Sequence, residues 1–239
     1  MIYNYQSYSF AGKRAVNEDD YFPRQAGINS NIFVICDGIG GHGNGELASR
    51  YVIDAMSKEL ALINDFSEKE PLRIISEVNA CLIEKAKEVG NPKMGSTLAF
   101  FVGQKNQALV GWVGDSRIYH IRDGKVLFKS KDHSLVELLY ENGDLTEEEY
   151  NNYPMKHIIW QAMGTQSTDL NPGLEVLPAL LSGDNILLAT DGVLDVWPEH
   201  ELLQLFPGEP QNISDALLSR CKLMSTDNFT FTLVEVKDA

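Results

Sequence analysis

Four aspartates stand at the ends of apolar runs. Asp37 follows N-I-F-V-I-C, Asp115 follows A-L-V-G-W-V-G, Asp191 follows N-I-L-L-A-T, and Asp227 precedes F-T-F-T-L-V-E-V. A carboxylate beside a buried strand is unfavourable unless it is paired or holds a metal, so four such residues ask for a shared counter-charge. Oxygen donors without accompanying His or Cys suit Mg²⁺ or Mn²⁺ better than zinc. The plainer reading of Asp-Gly is a turn. It fits Asp123-Gly124 well and Asp191-Gly192 less well, because V-L-D-V-W carries the apolar character onward.

Asp37 also opens a glycine-rich loop, D-G-I-G-G-H-G-N-G-E-L-A-S (37–49), with a G-x-G-x-x-G match at Gly38, Gly40 and Gly43. A dinucleotide site would need a second parallel strand carrying an acidic residue about 20 positions on. Here the glycines lead into a long, mainly helical stretch, and Glu59, at a suitable distance, lies inside it. Asp37 would also repel a pyrophosphate. Neither G-x-x-x-x-G-K-[ST] nor G-x-S-x-G occurs. Six positions after Cys36 stands His42 rather than a phosphate-binding Arg, so Cys36 reads as core.

Net charge of −14 disfavours nucleic acid and anionic membranes as partners and favours divalent cations. An anionic substrate would therefore need a local positive charge from a metal or a placed Arg. The three cysteines, Cys36, Cys81 and Cys221, are widely spaced and odd in number, which predicts buried free thiols in a reducing cytoplasm. No apolar run approaches the roughly 18–20 residues of a membrane span, and the first residues lack a signal-peptide pattern.

Positioning these groups requires a mixed architecture. Alternation predicts strands at 2–10 and 229–236, and short apolar runs predict buried strands at 31–36 and 185–190. Helical spacing predicts helices from Glu46 to about Leu62 and from an N-cap at Ser67, with Glu70 three residues on, to Val89. Strands are expected at 96–103, 107–113, 117–122 and 125–129, with a hairpin turn at Asp123-Gly124. Helical pieces over 134–162, broken by Gly143 and Pro154, and helices at 198–206 and 212–224 complete the reading. Paired helices and grouped antiparallel strands indicate α+β layering.

In this order the blocks R-A-V-N-E-D-D (14–20), D-G-I-G-G-H-G-N-G-E-L-A-S (37–49), M-G-S-T-L (94–98), G-D-S-R-I-Y (114–119), D-H-S-L-V (132–136), A-M-G-T (162–165), T-D-G-V-L-D (190–195) and D-N-F-T (227–230) resemble the motifs of the PPM family. The likeness is to its bacterial branch, the PP2C-like metal-dependent protein serine/threonine phosphatases. The resemblance runs from Arg14 to Thr230. It implies one catalytic domain over 1–239, a four-layer αββα sandwich of two mostly antiparallel sheets between helix pairs, with a flap at about 132–164 and no membrane anchor.

Residue by residue, the resemblance implies that Asp37 bridges two divalent ions, Mn²⁺ or Mg²⁺. Gly38 adds its carbonyl, and Asp191 and Asp227 complete the other site. Asp19 acts through water, Asp115 serves a weaker third ion, and Asn228 and Asp195 orient ligands or are structural. Arg14 takes the substrate phosphate. Hydrolysis of phosphoserine and phosphothreonine by a metal-bridging water would follow, on phosphoproteins of a bacterial Ser/Thr kinase in the cytoplasm. One departure stands out. Some relatives carry a proton-donating His immediately after Asp-Gly, where this chain has Ile39; His42 or a metal-bound water could serve instead. A phosphoprotein-binding relative without turnover, and a hydrolase of small phosphoesters, remain alternative readings.

Overall fold

The computed structural model describes residues 1–40, 44–63, 66–105, 107–165 and 170–238. In chain order its elements are β1 (Ile2–Phe10), β2 (Asp20–Phe22), β3 (Ile32–Cys36), β4 (Gly38–Ile39), α1 (Asn44–Leu60), α2 (Lys69–Val89), β5 (Gly95–Ser96), β6 (Leu98–Gln104), β7 (Gln107–Val113), β8 (Arg117–Arg122) and β9 (Lys125–Lys129). They continue with α3 (Leu135–Glu141), α4 (Glu147–Asn151), β10 (Gly173–Leu177), β11 (Asn185–Ala189), α5 (Asp191–Leu194), α6 (Glu199–Leu203), α7 (Pro210–Met224) and β12 (Phe229–Lys237).

Among the described residues the long strands form two five-stranded antiparallel sheets, β1-β12-β11-β8-β9 and β10-β7-β6-β3-β2. The apolar runs are continuous because both faces of each central strand are covered. In β3, Phe33 and Ile35 enter the core between the sheets, while Ile32, Val34 and Cys36 face α1 and α2. In β11, Ile186 and Leu188 point between the sheets, and Leu187 and Ala189 meet α5 to α7. The period of two along a strand thus builds three apolar layers and an αββα sandwich, as the resemblance implied. Each large side chain sealed in these layers contributes roughly 1.5–3 kcal/mol.

Local chemistry explains most boundaries. Asp123 and Gly124 both have positive φ, 51° and 71°, which suits the two-residue turn between β8 and β9. Gly90 caps α2 in the left-handed region. Helix α2 does not begin at Ser67 as expected. Its N-cap position is Glu68, without a side-chain cap bond, and the Glu70 carboxylate is taken up by Arg73 at 2.7 Å instead of closing a capping box. Cys36 and Cys221 are buried, but Cys81 is exposed because it lies on the solvent side of α2 while Leu82 enters the core.

Candidate metal centre

Strand register brings the aspartates together. At one end of the second sheet, Cys36 pairs with Asp20 and Leu98 with Val113, so the residues after β3 and β7 emerge side by side. At the same end of the first sheet, Ala189 pairs with Arg117 and Phe231, and Phe10 with Phe229. The Gly114–Ser116 link crosses from β7 in one sheet to β8 in the other. Asp37, Asp115, Asp191, Asp227 and the segment carrying Arg14 and Asp19 therefore gather at one end of the sandwich.

Each is held by its neighbours. The Asp37 N–H donates to Thr97 Oγ1 at 2.8 Å, and its carbonyl accepts from the Thr97 N–H at 2.8 Å and from Ser96 Oγ at 3.1 Å. Thr97 Oγ1 lies 2.7 Å from Ser116 Oγ, which ties this corner to the Asp115 turn. The Gly38 N–H donates to the Glu18 carbonyl at 3.1 Å, and a Cβ on Gly38 would stand 2.1 Å from the Gly45 carbonyl oxygen. Glycine at 38 thus permits backbone to meet backbone. Buried Asp19 accepts from Thr190 Oγ1 at 3.0 Å.

Asp191 begins α5, and the following glycine is no turn residue. A Cβ on Gly192 would lie 1.9 Å from the Asn228 carbonyl oxygen. The Asp-Gly pair therefore marks a close approach between α5 and the segment before β12, which answers the ambiguity left open by the sequence. Asp227 Oδ1 accepts from the Asn228 N–H at 2.8 Å, and its Oδ2 accepts from Arg14 at 2.6 Å. Asn228 secures the 11–18 segment: Nδ2 donates to the carbonyls of Ala11 and Val16, and Oδ1 accepts from the Glu18 N–H.

Burial, and then crowding, raises the pKa values of Asp19, Asp37, Asp115 and Asp191. Burial first, then neighbouring aspartates, pushes Asp37 well above the ordinary range. Burial and the charge of Asp191 push Asp19 up to about 7, against hydrogen bonds from Thr230 and Thr190. Burial, then Asp191 and Asp132, push Asp115 up to about 8, and burial, then Asp195 and Asp227, push Asp191 up to about 6. Asp19 Oδ1 and Asp191 Oδ1 are buried without a protein partner. A buried acceptor left unmatched costs about 1–3 kcal/mol. Buried, mutually repelling, oxygen-only donors fit hard divalent cations. Among the described residues no three His, Cys, Asp or Glu side chains close around one point.

Beside the carboxylates opens a cleft of 980 Å³, floored by Asp115, Asp191 and Arg117. Tyr140, Tyr150 and Lys156 line it from α3, α4 and the turn that follows, and Asp195, Glu199 and Leu203 from the end of α5 and from α6. Arg117 makes two bonds to Asp132, at 2.8 and 2.6 Å, and Lys129 meets Glu199 at 2.9 Å. Exposed Asp195 belongs to this cleft, and its N–H donates to the Asp191 carbonyl at 2.8 Å.

Several supporting residues escaped the sequence reading. Glu18 accepts from the Gly45 N–H through Oε1 and from Ser49 Oγ through its carbonyl. Its place inside N-E-D was the available signal. Thr190, Thr97 and Ser116 lie in quoted motifs but carried no assigned task. His42 and Gly43 fall outside the described residues.

The profile of the protein phosphatase 2C family matches residues 8–210. A serine/threonine phosphatase stp of Listeria welshimeri is 30% identical over 228 residues, covering 92% of this chain and 90% of that protein. The crystal structure of serine/threonine phosphatase Stp1 from Staphylococcus aureus superposes with a TM-score of 0.85 at 30% identity, over 100% of this chain and 96% of that one. The catalytic domain of serine/threonine protein phosphatase PstP, crystallised with two manganese ions, gives 0.84 at 27% identity over 99% of each chain. A match that runs from the end of β1 to the first residue of α7, and so takes in the corners carrying Asp37, Asp115 and Asp191, makes this chain a member of the protein phosphatase 2C family.

Proposed function

We propose that the protein is a divalent-metal-dependent phosphatase that removes phosphate from phosphoserine and phosphothreonine in proteins, including targets of a bacterial Ser/Thr kinase. The observation that carries this reading is the gathering of five raised-pKa or paired aspartates, two of them with orphaned buried oxygens, at the head of a cleft and beside Arg14. Asp37, Asp191, Asp227 and the Gly38 carbonyl would hold two ions, Mn²⁺ or Mg²⁺, with Asp19 acting through water and Asp115 toward a weaker third. When bound, the ions supply positive charge and an acidified water as the nucleophile. Arg14 can turn its guanidinium from Asp227 to the phosphoryl oxygens, which it suits by its planar donor pair. Segment 132–164 serves as a flap over the cleft. No described helix is long and apolar enough to cross a membrane. A cytoplasmic location is part of the proposal and draws on the three free cysteines, which suit a reducing compartment.

Purified protein is expected to release phosphate from phosphothreonine peptides and p-nitrophenyl phosphate with Mn²⁺ or Mg²⁺, and Asp191→Ala to remove most turnover while the circular dichroism stays native. Undiminished turnover in excess chelator would overturn the reading. A higher kcat/KM on free phosphometabolites than on phosphopeptides would redirect it to small phosphoesters.

A further inference from the structure

The two ends of segment 132–164 meet at one imidazole. The His133 N–H donates to the Gly114 carbonyl at 2.9 Å, and the Gly114 N–H donates back to His133 Nδ1 at 3.1 Å. Residue 133 thereby clamps the residue immediately before Asp115. From the far end of the segment, Gln161 Nε2 reaches the same Nδ1 at 3.0 Å. The amide of Gln161 is oriented independently by Asn171, whose N–H donates to Oε1 at 2.7 Å and whose carbonyl accepts from Nε2 at 2.9 Å. Two N–H donors therefore converge on Nδ1, which must present its lone pair. The ring is the neutral tautomer protonated on Nε2.

Packing fixes the ring as well. His133 lies between Trp112, with centroids 6.4 Å apart and planes at 24°, and Trp160, at 5.3 Å and 53°. The Trp160 N–H donates to the His133 carbonyl at 2.9 Å, and Trp112 Nε1 donates to the Lys131 carbonyl at 2.6 Å. Next door, Asp132 holds Arg117 on the cleft floor through two bonds. The wall residues Tyr140, Tyr150 and Lys156 all lie between the two clamped ends.

We propose that His133 is a positioning residue that bolts both ends of the 132–164 segment to the Gly114–Asp115 corner, and so sets the distance between the cleft wall and the phosphate-cleaving end. This inference rests on the phosphatase reading. None of the contacts of His133 described above involves Asp37, Asp191, Asp227 or Arg14. Of the groups assigned to the ions only Asp115, given the weaker third one, adjoins the bolt; a small phosphoester depends chiefly on the two main ions and Arg14, whereas a phosphopeptide must also lie along the cleft. Loosening the bolt should therefore act mainly on peptide binding.

Side-chain geometry supplies the test. In Asn the Oδ1 acceptor occupies nearly the place of His Nδ1, whereas in Gln the polar end reaches the place of Nε2. His133→Asn should keep the bolt and His133→Gln should lose it. For His133→Gln, KM for a phosphothreonine peptide should rise about tenfold while kcat on p-nitrophenyl phosphate stays within about threefold, the scale of one lost buried clamp. His133→Asn should stay near wild type on both. Hydrogen exchange provides a readout without turnover: the Leu135 and Trp160 amides, bonded to the Ile158 and His133 carbonyls, should exchange faster in His133→Gln than in His133→Asn. Equal exchange in the two variants, or parallel loss on both substrates with a shared fall in Tm, would reduce His133 to packing between two indoles and overturn the proposal. A wild-type protein without turnover on either substrate would instead defeat the phosphatase reading, and the exchange comparison would still decide the role of His133.

Discussion

Arg14 and Asp227, far apart in the chain, are joined by a 2.6 Å bond from guanidinium to Oδ2 at the mouth of the carboxylate cluster. With Oδ1 taken by the Asn228 N–H, both oxygens of Asp227 are engaged. The arginine thus supplies the positive charge that a divalent cation would bring, and the cation must compete with it.

The first prediction follows from that competition. Arg14→Gln should tighten Mn²⁺ binding measured by calorimetry while lowering kcat/KM on phosphopeptides. The tightening should be modest, up to about fivefold, because the pair is solvent-exposed and such pairs are worth about 0–1 kcal/mol. The loss of turnover should be about 10- to 100-fold, the usual range for a hydrogen bond to a charged group. Weaker Mn²⁺ binding in the variant would mean that Arg14 organises the centre rather than competing for it.

A second prediction concerns pH. Asp19 titrates at about 7 and Asp115 at about 8 in the folded chain, against 3.8 for an ordinary aspartate. The folded protein then keeps protons that the unfolded chain has released, so this contribution is full below pH 3.8 and is lost as pH rises through about 7 and 8. His133, lowered to about 4 from 6.5 chiefly by burial, acts in the opposite sense but only below about 6.5. Chelator-treated protein should therefore show a falling Tm from about pH 6.5 to about pH 8, by about 2–4 °C per kcal/mol lost. Since cations displace those protons, stabilisation by Mn²⁺ or Mg²⁺ should grow over the same interval. A metal-free Tm that is flat or rising there would contradict the crowded-carboxylate account.

The same residues show what could and could not be read in one dimension. The runs 32–36 and 185–189 were legible because strands covered on both faces leave continuous apolar sequence. Strand β10 was missed: it is an edge strand paired with β7, and Glu175 and Val176 are exposed, so no burial pattern marks it. Helix α5 spans only four residues, too few for a period. Asp37, Asp191 and Asp227 could be singled out by position beside apolar runs, yet their meeting depends on strand register and pairing order. Gly192 shows the limit most clearly. Its sequence neighbour suggests a turn, whereas the reason for glycine is the Asn228 carbonyl, distant in sequence and near in space.

Gly192 also yields the third prediction. In Gly192→Ala the new methyl meets backbone on the opposite segment, so α5 or the stretch before β12 must move, and Asp191 or Asp227 moves with it. A displacement of about 1 Å at a reacting centre can cost about 100-fold in rate. Gly143→Ala is the matched control: nothing lies within 4 Å of its Cβ, and φ of +79° adds only a backbone cost of about 1–2 kcal/mol. Turnover and Mn²⁺ affinity should collapse in the first and persist in the second. Comparable activity in both would show that the approach at 192 is not needed to place the carboxylates.

The last prediction tests how the Arg14 segment is held. Asn228 is buried and makes two donations, to the Ala11 and Val16 carbonyls at 3.0 and 2.8 Å, and one acceptance, from the Glu18 N–H at 2.8 Å. Among side chains of this size only an amide offers donors and an acceptor together. Asn228→Asp keeps the acceptor but turns carboxylate lone pairs toward two carbonyl oxygens, an arrangement worse than a simple gap. Asn228→Ala leaves the three backbone groups to water. The aspartate variant should therefore bind inorganic phosphate about tenfold more weakly than wild type and more weakly than the alanine variant, the scale of one lost charge-assisted bond from a displaced Arg14. Mn²⁺ affinity should change less, because both variants keep the backbone N–H that residue 228 gives to Asp227 Oδ1, and Asp37 and Asp191 lie elsewhere in the chain. Should the aspartate variant bind phosphate as well as the alanine one, the orientation of the amide would be irrelevant and Asn228 would be filling space rather than aiming the arginine.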